Sequence, residues 1–209
     1  MDLGQWLSNQ RHKLVPLFDC DEDLVVKIRY VGRQSQPTLA RHPEMESAII
    51  GLVEDGLQDD DWKGLIFVMG WGELANFVPL FIGETERHGN KRSINTNIQN
   101  IRTNTGMFAR WGDKLDYHIG DLSHALFRFK AHGEHKKRYE MWAEMLFRAP
   151  GSTQLKEPVF LCIVPWYTYS KGPSGDLCSV KAARLELIEL AAEQFSGTLL
   201  NATRGDWHV

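Results

Sequence analysis

The chain contains no run of about 18 apolar residues, the length a helix needs to cross a bilayer, so no membrane partner is expected. Its start, Met1-Asp2-Leu3-Gly4-Gln5, lacks the basic residues and apolar stretch of a secretory signal. Cysteine is scarce. Cys20, Cys162 and Cys178 are an odd number at no metal-binding spacing, and they read as free thiols in a reducing cytoplasm. Excess positive charge is also missing: the formal net charge is -3. That excludes a strongly basic protein that coats nucleic acid indiscriminately, and it leaves room for a local basic groove. Internal repeats and low-complexity tracts are absent as well.

What is present suits a packed domain. Of the 209 residues, 43% are hydrophobic and 24% charged, which supports one core with elaborations rather than disorder. Leu24–Val31 is β-branched and reads as a strand. Pro43 opens an amphipathic helix over Glu44–Glu54, with Met45, Ile49, Leu52 and Val53 on its apolar stripe and Gly56 as its stop. Asp59-Asp60-Asp61 reads as a solvated turn. Two apolar runs, Gly64–Trp71 and Val78–Gly83, flank a short Gly- and Asn-containing connection and predict a β-hairpin. Ile94, Ile98 and Ile101 fall at helix spacing.

Gly112-Asp113 and Gly120-Asp121 bracket Tyr117-His118-Ile119, a short strand or bend, and Asp121 or Ser123 would cap the helix beyond it. His124–Phe147 is mostly helical, broken near Gly133, with Tyr139, Trp142, Met145 and Leu146 on one face. Val159–Val164 is apolar throughout and reads as a central strand covered on both faces. Ser170–Asp176 is a Gly- and Pro-containing connection. Ser179 then opens a long helix, Val180–Phe195.

In that last helix Leu185, Ile188, Ala192 and Phe195 share one face. Glu189 lies about 80° from the centre of that face, closer than Glu186 or Glu193, so it is the carboxylate expected at the edge of the buried stripe. Lys130, Lys136, Lys137 and Arg138 form a basic patch that could contact phosphate, or a solvated helix face.

The order of hairpin, helices, strand, helix with a Glu, then an Asn resembles the GIY-YIG nuclease superfamily. Phe81-Ile82-Gly83, continuing as Glu84-Thr85, matches the second motif of that family. Gly64-Leu65-Ile66, or the same run shifted to end on Phe67, matches the first more loosely. Glu189 and Asn201 have the spacing of the family's metal-binding Glu and its following Asn. The resemblance covers about residues 64–201. It implies an α/β (α+β) fold with a small three-stranded mixed or antiparallel sheet flanked by helices. Residues 63–209 would form that domain, with an enlarged helical middle over about 94–150, and residues 1–62 an N-terminal extension.

The resemblance further implies metal-dependent hydrolysis of phosphodiester bonds in DNA, with Glu189 holding Mg²⁺ or Mn²⁺ and an Arg on the phosphate. Arg92, Arg102 and Arg110 are the candidates; Arg110, paired with His118, is preferred because a fixed loop positions side chains well. The signature tyrosines are replaced, by Ile66 or Phe67 and by Phe81. A phenylalanine keeps the packing and loses the O–H, so base catalysis would fall to His118 or to metal-bound hydroxide. The alternative is a catalytically inactive module of the same fold that binds nucleic acid or protein.

Overall fold

The structure, a computed structural model, describes residues 2–89, 92–114, 116–128 and 137–201. In chain order the elements are α1 (Leu3–Ser8), β1 (Lys13–Pro16), β2 (Ile28–Val31), β3 (Gln36–Leu39), α2 (Pro43–Leu57), β4 (Trp62–Trp71), β5 (Val78–Glu86), α3 (His118–Phe127), α4 (Lys137–Leu146), β6 (Val159–Tyr167) and α5 (Val180–Phe195). The fold is mixed α/β. Its main sheet has four antiparallel strands in the order β1-β6-β4-β5, and β2 and β3 form a separate two-stranded hairpin.

β4 and β6 occupy the middle of the sheet and are buried along nearly their whole length, as their continuous apolar runs require. Leu65, Phe67, Met69, Leu161 and Ile163 point to one face, where α2, α3 and α4 cover them through Met45, Ile49, Ile119, Leu122, Trp142 and Leu146. Ile66, Val68, Cys162, Val164 and Trp166 point to the other face, beneath α1 and α5. A β-bulge between Met69 and Gly70 sets the register of β5 so that Phe81 lies opposite Met69, Ile82 opposite Val68 and Gly83 opposite Phe67. Side chains alternate along a strand, so Phe81 and Gly83 face the α3–α4 layer and Ile82 faces α5.

Four local expectations are corrected. The sheet has a fourth strand, β1, in which Lys13 pairs with Ile163 and Pro16 with Phe160, so part of the first 62 residues is built into the main sheet. Residues 96–103 form turns rather than a helix, because Asn and Thr between the isoleucines hydrogen-bond locally, as Asn95 Oδ1 does with the Asn97 N–H. Tyr117-His118-Ile119 is not a strand: α3 starts at His118, behind Tyr117, whose side chain makes no capping bond. In the Leu24–Val31 stretch only Ile28–Val31 is a regular strand.

One buried cation ties the α2 side together. The Arg41 side chain is fully buried, donates to the carbonyls of Thr105 (2.8 Å) and Trp111 (3.1 Å), pairs with Glu46 (2.7 Å) and lies over the Phe108 ring. Burial pulls the Arg41 pKa down, while Glu46 and Asp113 oppose that shift. No helix among the described residues is long and apolar enough to cross a membrane.

Candidate nucleic-acid interface

The hairpin places two rings where the resemblance would place tyrosines. Phe67 packs edge-on against Trp111, 5.9 Å between centroids, and a methyl group at Gly83 would overlap the Phe67 ring. Phe81 packs against His118 and Trp142, each at 4.9 Å, and against Trp111 at 6.3 Å. This face of the hairpin is therefore filled with aromatic carbon. Ile66, the other candidate position, points to the α5 side of the sheet.

His118, 8% exposed, stands among these rings: Phe81 at 4.9 Å, Trp111 at 5.1 Å and Trp142 at 5.2 Å. Its Nδ1 lies 2.6 Å from the Tyr139 hydroxyl. That hydroxyl also hydrogen-bonds Asp121, and an ionised carboxylate only accepts. The phenol can then donate its proton to Asp121 and accept from His118 Nδ1–H. The result is a chain from His118 through Tyr139 to Asp121 that joins α3 to α4. Burial pushes the Tyr139 pKa far up; Arg138 and Arg110 pull it down and Asp121 adds to the rise.

One arginine borders this phenol directly, and the charge of a second is felt there. Arg138 lies over the Tyr139 ring, 4.9 Å from its centroid. Arg110 is exposed, and burial raises the Tyr117 and Tyr139 phenol pKa values while the Arg110 charge opposes part of each rise. Its backbone is held in the left-handed region (φ 57°), as is that of Ala109 before it (φ 48°). Each such residue costs about 1–2 kcal/mol. The surroundings impose it: Ala109 N–H donates to Asn97 O, and Arg41 holds the Trp111 carbonyl from below. Among the described residues neither arginine has an ion-pair partner. Lys137 is exposed one residue before Arg138, whereas Lys130 and Lys136 lie outside the described residues.

The remaining expected residues are elsewhere. α5 buries Val180, Ala183, Leu187, Ile188 and Ala191, so its inward face is rotated from the expected one and Leu185 is exposed. Glu189 lies about 160° around the helix from Leu187 and points to solvent. The small Ala183 and Ala191 let α5 approach the sheet on that side, and Arg184 reaches Glu84 of β5 in an ion pair. The sheet thus separates Glu189 from Arg110 and His118, so one phosphate cannot meet both the carboxylate and the cation.

Among the described residues no group of three or more His, Cys, Asp or Glu is placed to hold a metal ion. Among the described residues Glu189 is an outward carboxylate on the opposite side of the sheet from Arg110, and that placement does not fit Mg²⁺ or Mn²⁺, which need carboxylate and substrate oxygens around one centre. Arg102 is tied to Glu54 in an exposed pair, and Arg92 is exposed with its carbonyl facing His88 Nδ1.

Asn201 has a different, definite task. β5 is an edge strand, and the Asn201 amide clamps it: Ile82 N–H donates to Oδ1 (2.7 Å) and Nδ2 donates to Ile82 O (2.9 Å). Leu200 N–H adds a bond to Leu80 O at 2.6 Å. The side chain imitates one residue of a neighbouring strand.

Sequence reasoning missed Tyr139, Asp121 and Trp111 as neighbours of His118. A signal existed for one of them, since a tyrosine on a buried helix face needs a partner for its hydroxyl. No protein-family model, curated protein or solved structure matches the chain.

Proposed function

We propose that this chain is a binding module on a divergent GIY-YIG-like scaffold, gripping the phosphate backbone of nucleic acid with Arg110, Arg138 and Lys137 and without hydrolysing it. The observation that carries this reading is Arg138 lying over the ring of the buried Tyr139, with the charge of Arg110 also felt at that phenol and neither arginine in an ion pair among the described residues, beside a hairpin whose motif positions hold packed phenylalanines. Two guanidiniums at one rim suit phosphate oxygens, which they bind in charge-assisted, often bidentate bonds. The cost of holding Arg110 in a left-handed conformation supports the same rim, since such strain persists where a side chain has to be aimed. With an overall charge of -3, attraction for a polyanion has to come from a local basic patch. Three cysteines, none in a disulfide, suit a reducing cytoplasmic setting.

Fluorescence anisotropy with labelled single-stranded and duplex DNA, titrated with salt, tests the proposal. Wild type binds with log K falling linearly in log salt. Arg110→Ala and Arg138→Ala each reduce that slope by about 0.7–0.9, whereas Glu189→Ala and EDTA leave it unchanged. Plasmid nicking in Mg²⁺ that disappears in Glu189→Ala would overturn the proposal in favour of metal-dependent hydrolysis. Binding with no salt dependence would overturn it in favour of a protein partner.

A further inference from the structure

The β2–β3 ribbon is anchored along one strand and open along the other. β3 is the inner strand: Thr38 and Leu39 are buried, and Leu39 N–H donates to Ser123 Oγ of α3 at 3.0 Å. β2 is the outer strand. Ile28, Arg29 and Tyr30 are all exposed, Tyr30 to 70%. Arg29, on the opposite face of β2 from Tyr30, holds the ribbon in place through Glu46 of α2 (3.5 Å) and Asp113 (3.6 Å). The open edge is therefore fixed in an extended shape before any partner arrives.

The ladder decides which backbone groups of β2 point outward. Ala40 N–H donates to Lys27 O at 2.8 Å, which places the Lys27–Ala40 pair in the hydrogen-bonded set. In an antiparallel ladder bonded and non-bonded pairs alternate, so Arg29–Thr38 and Val31–Gln36 are bonded and Ile28–Leu39 and Tyr30–Pro37 are not. Two observations agree. Leu39 N–H is turned away to Ser123, and Pro37 has no N–H to give. The N–H and C=O of Ile28 and Tyr30 therefore face away from β3. β2 pairs with β3 alone, and no described residue bonds to these outward groups. They stand one strand repeat apart, about 6.8 Å, as the bonding sites for a further strand do.

Charge selects the occupant. No acidic residue occurs between Asp23 and Glu44, and Lys27, Arg29 and Arg33 are exposed on or beside β2. Arg33 makes no ion pair among the described residues. Arg29 is half-exposed and its two pairs are long, which leaves guanidinium N–H groups for a further carboxylate. Side chains of an added strand alternate between the two faces of the ribbon. Those on the Ile28 and Tyr30 face meet apolar surface, and those on the other face meet Arg29. Pairing two copies of this chain along β2 would set one basic strand against another, which like charges oppose.

We propose that the outer edge of β2 binds an extended segment of a partner protein, in which apolar residues alternate with Asp or Glu, as an added strand. The inference stands apart from the nucleic-acid reading and uses none of its residues.

Fluorescence anisotropy tests it with a fluorescein-labelled heptapeptide of alternating Glu and Val, and with the Lys and Val counterpart as control. The acidic peptide binds about tenfold tighter or more than the basic one. Tyr30→Pro removes an outward N–H that the β2–β3 ladder does not use, and it weakens binding about tenfold or more. Tyr30→Val keeps the N–H and an apolar side chain and stays within about threefold of wild type. Arg33→Glu weakens binding of the acidic peptide by about 3- to 10-fold. Wild-type affinity in Tyr30→Pro, or no preference for the acidic peptide, overturns the inference. Should Tyr30→Pro fail to fold, wild type is titrated with two acidic peptides, one N-methylated on its Glu amides and one on its Val amides. Loss of binding in one and retention in the other supports strand addition, and equal effects sink it. Two further results would also overturn the proposal. Dimerisation in sedimentation velocity that Tyr30→Val preserves and Tyr30→Pro abolishes assigns the edge to a second copy. Displacement of the peptide by oligothymidylate assigns it to nucleic acid.

Discussion

Replacing Asn201 tests whether a side chain stands in for a strand at the edge of the sheet. Asn201→Ala leaves the N–H and C=O of Ile82, a fully buried residue, without their partners. An unsatisfied buried group costs about 1–3 kcal/mol. Because β5 is an edge strand, water relieves part of that, so a total loss of about 2–4 kcal/mol is expected. With a urea m-value of about 2–3 kcal/mol/M for a chain of this size, the unfolding midpoint falls by about 1 M.

Asn201→Asp sharpens the test. At pH 7 its carboxylate accepts from Ile82 N–H but opposes Ile82 O, so the variant is destabilised to a similar extent. Protonated at low pH, the same group reproduces the amide pattern, with C=O accepting and O–H donating. Its folded-state pKa is therefore raised above the ordinary value of about 3.9. The stability it contributes is present at low pH and lost as pH rises through the folded value. The difference from wild type shrinks to under about 1 kcal/mol near pH 4. A loss below about 0.5 kcal/mol for Asn201→Ala, or an equal loss at pH 4 and pH 7 for Asn201→Asp, would refute the clamp.

Arg41→Met leaves Glu46 with only Arg29 at 3.5 Å, strips the Thr105 and Trp111 carbonyls of their donor and should cost about 2–4 kcal/mol in denaturant unfolding, whereas Arg102→Ala, from an exposed pair, leaves the midpoint unmoved. Burial pushes the Cys162 thiol up to about 12 and, with help from Asp19 and Asp21, Cys20 to about 11. Both should therefore resist alkylation at pH 8 in the folded protein and react once it is unfolded in urea. Because the Cys162 pKa is raised on folding, its contribution favours the folded state below the ordinary thiol range and is lost as pH climbs toward the folded value; melting at pH 10 should come earlier than at pH 8. Arg128 caps α3 in the left-handed conformation, so Arg128→Gly should stabilise the protein by about 1 kcal/mol, read as a higher Tm.

The parts of the fold legible in the sequence were those written in neighbouring residues. The hairpin runs and the Ser179-capped α5 announce themselves within a dozen positions, and Val159–Val164 declares a buried strand by its unbroken apolar character. β1 was not legible, since Lys13-Leu14-Val15-Pro16 is short and acquires meaning only beside β6. The facing of α5 was misjudged because Leu185 was weighed by hydrophobicity. The helix instead seats small Ala183 and Ala191 on the sheet and leaves the larger leucine outside. Of the expected site, Phe81 packs on His118, and Arg138 lies over Tyr139, which hydrogen-bonds His118, through contacts across α3, α4 and β5. Glu189 does not join them, because a spacing to Asn201 along the chain fixes no direction around a helix.

The strand order β1-β6-β4-β5 also sets a timetable. Among the described strands β6 is the one that pairs with both β1 and the hairpin, and it follows β1 by more than 140 residues. At a synthesis rate of about 5–20 residues per second, β1 waits roughly 7–30 seconds for its partner. During that interval the β4–β5 hairpin has two open edges and no Asn201 to close the outer one. The emerging chain is therefore most vulnerable to off-pathway association just before β6 appears, and a protein assembled this way should refold slowly compared with one whose strands pair in sequence.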